Sequence, residues 1–312
     1  MIKIFDASNS PERPVTRCLG GPRENDIVRY LKQWCSLFDC YFVGKWQDAD
    51  VIFTNDVFPA EVVGNNIPLV KRMDGVYFQR DMQERNKQYN LAAQQADNVI
   101  FISEFSRWSY EQIVGKLPNC CVALNKSDPF DFSCKPMAGY PKLPRRFVAV
   151  ATHWGRPEKR LNAILSLARN VDAEFYLVGT LPDITLPLNV ISLGYQERYD
   201  SVLASMDGMI CFAYRDAAPK TVNHGLVTGL PVLYCNSGGV PEQVSEKGIA
   251  CPDPVSNAIE DNIPELDVNE LVTCFQQYTK NYLELVETTK RYRAWDEFYS
   301  MLSIYFDVLS SF

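Results

Sequence analysis

Histidine is the scarcest reactive residue in this chain of 312, with only His153 and His224, so a histidine-based metal centre has almost nothing to build on. The ten cysteines include no CxxC pair and sit mostly inside apolar stretches. That pattern reads as buried, reduced thiols and not as a metal knuckle or a disulfide framework. No apolar run approaches the length needed to cross a bilayer, and the start, MIKIFDASNS, has neither a basic n-region nor an apolar h-region. A soluble cytoplasmic protein is expected. Long runs of one charge are missing too. Lys plus Arg is 31 against Asp plus Glu 38, a formal charge of −7, which argues against nucleic acid as the main partner. The nearest spaced carboxylate pair, Asp48-Ala49-Asp50, leads into a strand and reads as a turn, so no metal site is expected.

What remains is ordinary globular usage, 46% hydrophobic and 22% charged, over a length that asks for about two domains. Short apolar runs alternate with helical patterns, the rhythm of a parallel sheet with helices on both faces. One series holds strands at Ile2–Phe5, Cys40–Val43, Asp50–Asn55, Pro68–Arg72, Asn98–Ser103 and Cys120–Leu124, with helices at Glu24–Phe38, Asp81–Ala96 and Glu104–Val114. A second opens at Phe147–Thr152 and repeats at Ala173–Gly179, Asn189–Leu193, Gly208–Ala213 and Pro231–Tyr234. Between them Asp128–Arg146 carries four prolines and no period, and reads as the linker. The stretch Leu266–Leu309 is helical by pattern, with an aromatic-rich end expected to pack across both domains. The expected domains are 1–143, 144–290 and a C-terminal helix over 291–312. Two doubly wound sheets of this kind face a cleft at the carboxyl ends of their strands, and chemistry is sought there.

Three segments of the second series could carry it. In YRDAAPKTVNHGLVTGLPV a strand, a short loop, Pro219 at a plausible first helical position and Gly229 as a stop define a helix whose N-terminus would collect anions. His224 lies eight positions beyond Asp216, about two helical turns, so both could flank one ligand. An N-cap and a packing histidine are the alternatives. In YCNSGGVPEQV the Ser237-Gly238-Gly239 turn offers backbone amides for a diphosphate, or it is only a turn with Glu242 as a capping residue. In AVATHWGRPEKRL a strand leads to Arg156, Lys159 and Arg160, which suit a phosphate or are merely solvated charges. In the first series LGGPREND places Gly20 and Gly21 before a helix. VKRMDGVYF puts Arg72, Asp74 and Gly75 at a strand end, and ISEFSR brings Ser103 and Glu104 to the same rim.

Together these segments resemble the retaining glycosyltransferases of the two-Rossmann (GT-B) architecture, family 4 (glycosyl transferases group 1), over nearly the whole chain and most strongly over Val148–Val244. HWGRPEKRL is similar to the loop that supplies a phosphate-binding Arg and Lys, here Arg156 and Lys159. GLPV followed by SGGVPE matches the donor-binding half, ADNVIFISEFSRWSYEQI the last strand-helix unit of the N-domain, and LGGPREND its glycine loop. The resemblance implies hexose transfer, with retention, from a UDP- or GDP-sugar to a hydroxyl of a glycan, lipid-linked or protein-linked acceptor, without metal or further cofactor. It implies that Arg156, Lys159 and the Gly21 and Gly239 amides hold the diphosphate, that Asp216 and Glu242 orient sugar and nucleotide, and that Gly20, Tyr195, Lys220, His224 and Gly238 line the donor site. Asp74 joins Asp216, Arg156 and Lys159 as the catalytic set. Two departures are plain: Asp216 and His224 stand where the family carries two glutamates, and Met73-Asp74 where it often has a histidine. A catalytically weak or inactive nucleotide-sugar or glycan binding module is the alternative, and an epimerase or phosphorylase-like enzyme fits less well.

Overall fold

The computed structural model describes residues 1–9, 26–132, 140–254, 262–291 and 293–312. It comprises two compact units: Met1–Leu124 with Tyr299–Phe312, and Asn125–Phe298. The division falls ahead of the proline-rich segment, whose described residues belong to the second unit.

In the first unit the elements run β1 (Ile2–Asp6), α1 (Asp26–Trp34), β2 (Cys40–Phe42), β3 (Val51–Thr54), β4 (Leu69–Met73), α2 (Gln83–Gln95), β5 (Asn98–Phe101), α3 (Glu104–Ile113) and β6 (Cys120–Val122). The strands form one parallel sheet in the order β2-β1-β3-β4-β5-β6. Every residue of β3, Val-Ile-Phe-Thr, is buried, as a central strand covered on both faces requires. Helix α3 starts where it does because Ser103 and Ser106 cap each other: the Ser103 hydroxyl accepts the Ser106 N–H at 3.0 Å, and the Ser106 hydroxyl accepts the Ser103 N–H at 3.1 Å.

The second unit runs β7 (Arg146–His153), α4 (Leu161–Asn170), β8 (Glu174–Thr180), β9 (Val190–Gly194), α5 (Asp200–Ser205), β10 (Gly208–Cys211), α6 (Lys220–Thr228), β11 (Val232–Cys235), α7 (Val240–Val244), β12 (Gly248–Cys251), α8 (Val268–Lys280) and α9 (Tyr282–Arg291). Its sheet is again parallel, in the order β12-β11-β10-β7-β8-β9. Strand alternation sends Phe147 and Ala149 to one core, with α4, α8 and α9, and Val148 to the other, with α6. Helix α4 buries Leu161, Ile164, Leu165, Leu167 and Ala168, one helical stripe. Strand β12 is absent from the sequence reading, and the helical stretch after Leu266 is not one element but α8, α9 and α10 (Ala294–Leu309). Within the first unit, Phe306 of α10 stacks on Phe38 at 4.4 Å and Tyr305 meets Phe53 edge-on at 6.1 Å.

The described cysteines are free thiols, Cys40, Cys211, Cys235, Cys251 and Cys274 buried and Cys35, Cys120 and Cys121 half-buried. Cys18 and Cys134 lie outside the described residues. No helix among the described residues is long and apolar enough to cross a membrane.

Candidate functional site

The order of the second sheet decides where a ligand goes. From β7 the chain steps outward through β8 and β9, then returns to β10 on the other side of β7. The crevice outside the carboxyl ends of two strands that part in this way is the ligand position of open α/β sheets. Its walls are the loop after β7, residues 154–160, and the loop after β10, residues 212–219.

The first loop leaves the sheet through a bulge between Val150 and His153. Trp154 anchors it, its indole N–H donating to the Val178 carbonyl at 3.0 Å and its backbone N–H to Thr180 at 2.9 Å. A short 3-10 turn over Pro157–Lys159 follows, then Arg160 at φ 50, which turns the chain into α4. The second loop is tied to the first, since the Tyr214 N–H donates to the Glu158 carbonyl at 2.8 Å. It is also tied to the turn after β11. The Arg215 N–H reaches the Ser237 hydroxyl at 3.0 Å, and the Gly239 N–H reaches the Asp216 carbonyl at 2.9 Å. Gly238, at φ 66, lies so close to the Asp216 backbone that a Cβ would sit 2.1 Å from the Asp216 carbonyl oxygen.

These ties bring Lys159 and Asp216, 57 residues apart in sequence, into contact: the Lys159 Nζ donates to Asp216 Oδ2 at 2.7 Å. Burial alone would lower the Lys159 pKa, but the adjacent Asp216 carboxylate outweighs it and the pKa is raised. The stability that this shift contributes is therefore full below the ordinary lysine pKa and lost as pH rises through the raised value. The other two cations of the first loop have their own carboxylates as well. Arg156 pairs with Glu158. Arg160 forms a bidentate pair with Asp253 at 2.7 and 2.8 Å, with both side chains buried, and its guanidinium lies 4.5 Å from the centre of the Tyr214 ring. Arg215, at φ 53, lies over the same ring at 4.8 Å.

Three solved structures share this architecture. HepE (Alr3699) of Anabaena, in complex with UDP and glucose, matches over all of both chains with a TM-score of 0.65 at 16% identity. The sucrose-phosphate synthase of Thermosynechococcus elongatus gives a TM-score of 0.65 at 14% identity, over 97% of this chain and 86% of its own. The chain has the GT-B fold. WaaG, a glycosyltransferase involved in lipopolysaccharide biosynthesis, matches at 0.61 and 14% identity over 92% of this chain and 81% of its own. No protein-family model matches the chain, and no curated protein does.

Within this GT-B chain the residues singled out from sequence separate into groups. Lys159, Asp216, Gly238 and Gly239 meet at the β7–β10 crevice, with Arg156 on the same loop. Two expectations need correcting here. The Gly239 amide is not open to a phosphate, because it is spent on the Asp216 carbonyl, and Arg160 is held in the core by Asp253. Helix α6 begins at Lys220, with Pro219 as its N-cap residue and not its first helical one, and stops at Gly229 in the left-handed conformation, φ 96. Lys220 is exposed on its first turn and Glu242 is half-buried on α7.

His224 contacts Tyr199 and Phe132. Its Nδ1 is 2.5 Å from the Tyr199 hydroxyl and its ring lies 4.4 Å from that of Phe132. Tyr195, exposed, follows β9. In the first unit Asp74 is exposed and pairs with the buried Arg72, which also hydrogen-bonds Tyr305 of α10. Burial pushes the Tyr305 pKa up to about 12 although Arg72 opposes it. Gly20 and Gly21 lie outside the described residues. Glu158, Asp253 and Tyr199 carry no expectation from sequence, and Ser237 is expected only as part of a backbone turn, without its hydroxyl's bond to Arg215. Glu158 and Ser237 sit inside segments singled out from sequence, but Asp253 is 93 residues from its partner and carries no local signal.

Proposed function

We propose that the protein is a glycosyltransferase that moves a hexose, with retention, from a UDP- or GDP-sugar to a hydroxyl acceptor. The observation that carries this reading is the Lys159–Asp216 pair held at the switch point of the second sheet, a cation for a diphosphate beside a carboxylate for sugar hydroxyls. HepE, similar along its full length, is solved with UDP-glucose as well as with UDP, which supports a nucleotide sugar as the ligand class.

Transfer of a glycosyl group passes through an oxocarbenium-like sugar and a departing diphosphate, so the site must meet negative charge as it develops. Lys159 and Arg156 would do this as fixed cations, with no metal called for. Asp216 would hold the sugar, and Glu242 and Lys220 the nucleotide side. The leaving phosphate oxygen would take the acceptor's proton, so no protein base is needed. A binding module without turnover is the second reading, favoured by His224 being held by Tyr199 where the family carries a carboxylate.

Lys159→Ala and Arg156→Ala should each weaken binding of UDP or GDP by about 1.5–3 kcal/mol in calorimetry, with an unchanged circular dichroism spectrum. Unaltered affinity in both would remove the reading. Slow hydrolysis of one member of a nucleotide-sugar panel separates the enzyme from the module. That hydrolysis should persist in EDTA, because Arg156 and Lys159 take the part of a metal; loss in EDTA with recovery on adding manganese or magnesium would contradict metal independence.

A further inference from the structure

Lys159 has three N–H donors but a single positive charge, and Asp216 already balances that charge. Its Nζ lies 2.7 Å from Oδ2, with the two side chains only 18% and 25% exposed. Of the loop's other cations, Arg160 is held in the core by Asp253, and Arg156 lies half exposed beside Glu158, where it adds to Lys159 without touching Asp216's hold on it. Nor can the Asp216 main chain retreat. Its carbonyl accepts the Gly239 N–H at 2.9 Å, and Gly238 packs on its backbone with no room for a Cβ. Asp216 can leave Lys159 only by rotating its side chain.

We infer that Asp216 is a specificity-determining residue that favours an intact nucleotide sugar over a spent nucleoside diphosphate, by competing with the diphosphate for Lys159. The inference rests on the reading of this crevice as the donor site. A diphosphate arriving alone meets a lysine whose charge is already balanced, and sets its own charge next to the Asp216 carboxylate, to which it has nothing to donate. A nucleotide sugar brings its own hydroxyls next to the phosphates, and these donate to the rotated carboxylate. The bare diphosphate therefore bears the full free energy of parting the pair, and the sugar-bearing one recovers it. Once the glycosyl group has gone, the carboxylate returns to Lys159 and helps to expel the product.

The test is calorimetric titration of the wild-type protein and of Asp216→Asn with UDP, GDP, UDP-glucose and GDP-mannose. Asparagine keeps the shape and can still accept from a hydroxyl, but it does not compete as an anion. Asp216→Asn should bind the free diphosphate at least tenfold more tightly than wild type, while the nucleotide sugar changes by less than threefold. The ratio of the two affinities then shifts by several-fold toward the diphosphate. A purely structural role would weaken both ligands together and leave the ratio alone, and that result would overturn the inference. Should the variant not fold, the wild-type protein supplies the answer by itself: it should bind the nucleotide sugar at least tenfold more tightly than the matching diphosphate, and equal affinities would refute the competition. Binding of none of the four ligands to wild type would instead bring down the donor-site reading, and the inference with it.

Discussion

Arg160→Met should destabilise the second unit by about 3–5 kcal/mol, while the double variant Arg160→Met/Asp253→Leu should recover most of that loss. The reason lies in what each change leaves behind. The Arg160 and Asp253 side chains are 4% and 0% exposed and share two hydrogen bonds of 2.7 and 2.8 Å. Methionine in place of Arg160 strands a carboxylate in the core with no partner and no water, which is the expensive event. Replacing both members removes the stranded charge and puts apolar volume in its place, and such exchanges are often neutral. Loss of the Tyr214 stacking at 4.5 Å adds a smaller part to the single variant. Urea denaturation followed by fluorescence measures both changes. A single variant within about 1 kcal/mol of wild type would show that the pair is more hydrated than its burial indicates.

Gly238→Ala is the second change with a large expected effect, on the site as well as on stability. A left-handed backbone costs an L-residue about 1 kcal/mol, and here the methyl would also stand 2.1 Å from the Asp216 carbonyl oxygen and 2.8 Å from its nitrogen. The turn must move off the 212–219 loop, breaking the Gly239 to Asp216 hydrogen bond and shifting the carboxylate from Lys159. We expect about 2 kcal/mol or more of lost stability and roughly a hundredfold loss in glycosyl transfer, the scale of an ångström's misplacement. Gly155→Ala in the adjoining loop is the control. A Cβ there meets nothing within 4 Å, so melting temperature and nucleotide binding should both hold. Equal behaviour of the two variants would show that the close approach at Gly238 is relieved without moving Asp216.

The contrast between these two glycines marks the limit of what the sequence discloses. Strand runs such as VIFT and the apolar stripe of LNAILSLARN are local patterns, and from them the two series of parallel strands and the segments lining the crevice could be placed. Strand β12, Gly-Ile-Ala-Cys, was hidden because one isoleucine among a glycine and an alanine gives too short and weak a strand signal; pairing with β11 makes the segment a strand. The breaks between α8, α9 and α10 carry neither proline nor glycine and left no signal. Charge pairing was the least legible feature. A run reading GRPEKR suggests three cations offered to a phosphate, but the carboxylates that take up Lys159 and Arg160 come from loops 57 and 93 residues away. For His224, likewise, only the fold supplies Tyr199 and Phe132 as neighbours.

The membership of Tyr299–Phe312 in the first unit bears on how the chain is made. Residues 1–124 leave the ribosome first, but their core lacks Tyr305 and Phe306, which are almost wholly buried against Phe53, Phe38 and Arg72. Until those residues are synthesised, Arg72 has no Tyr305 hydroxyl beside it and Phe38 no ring to stack on. The second unit is drawn from one uninterrupted stretch, 125–298, so its core needs nothing from the far side of another unit. The nascent first unit must therefore wait, incompletely packed, for its last helix.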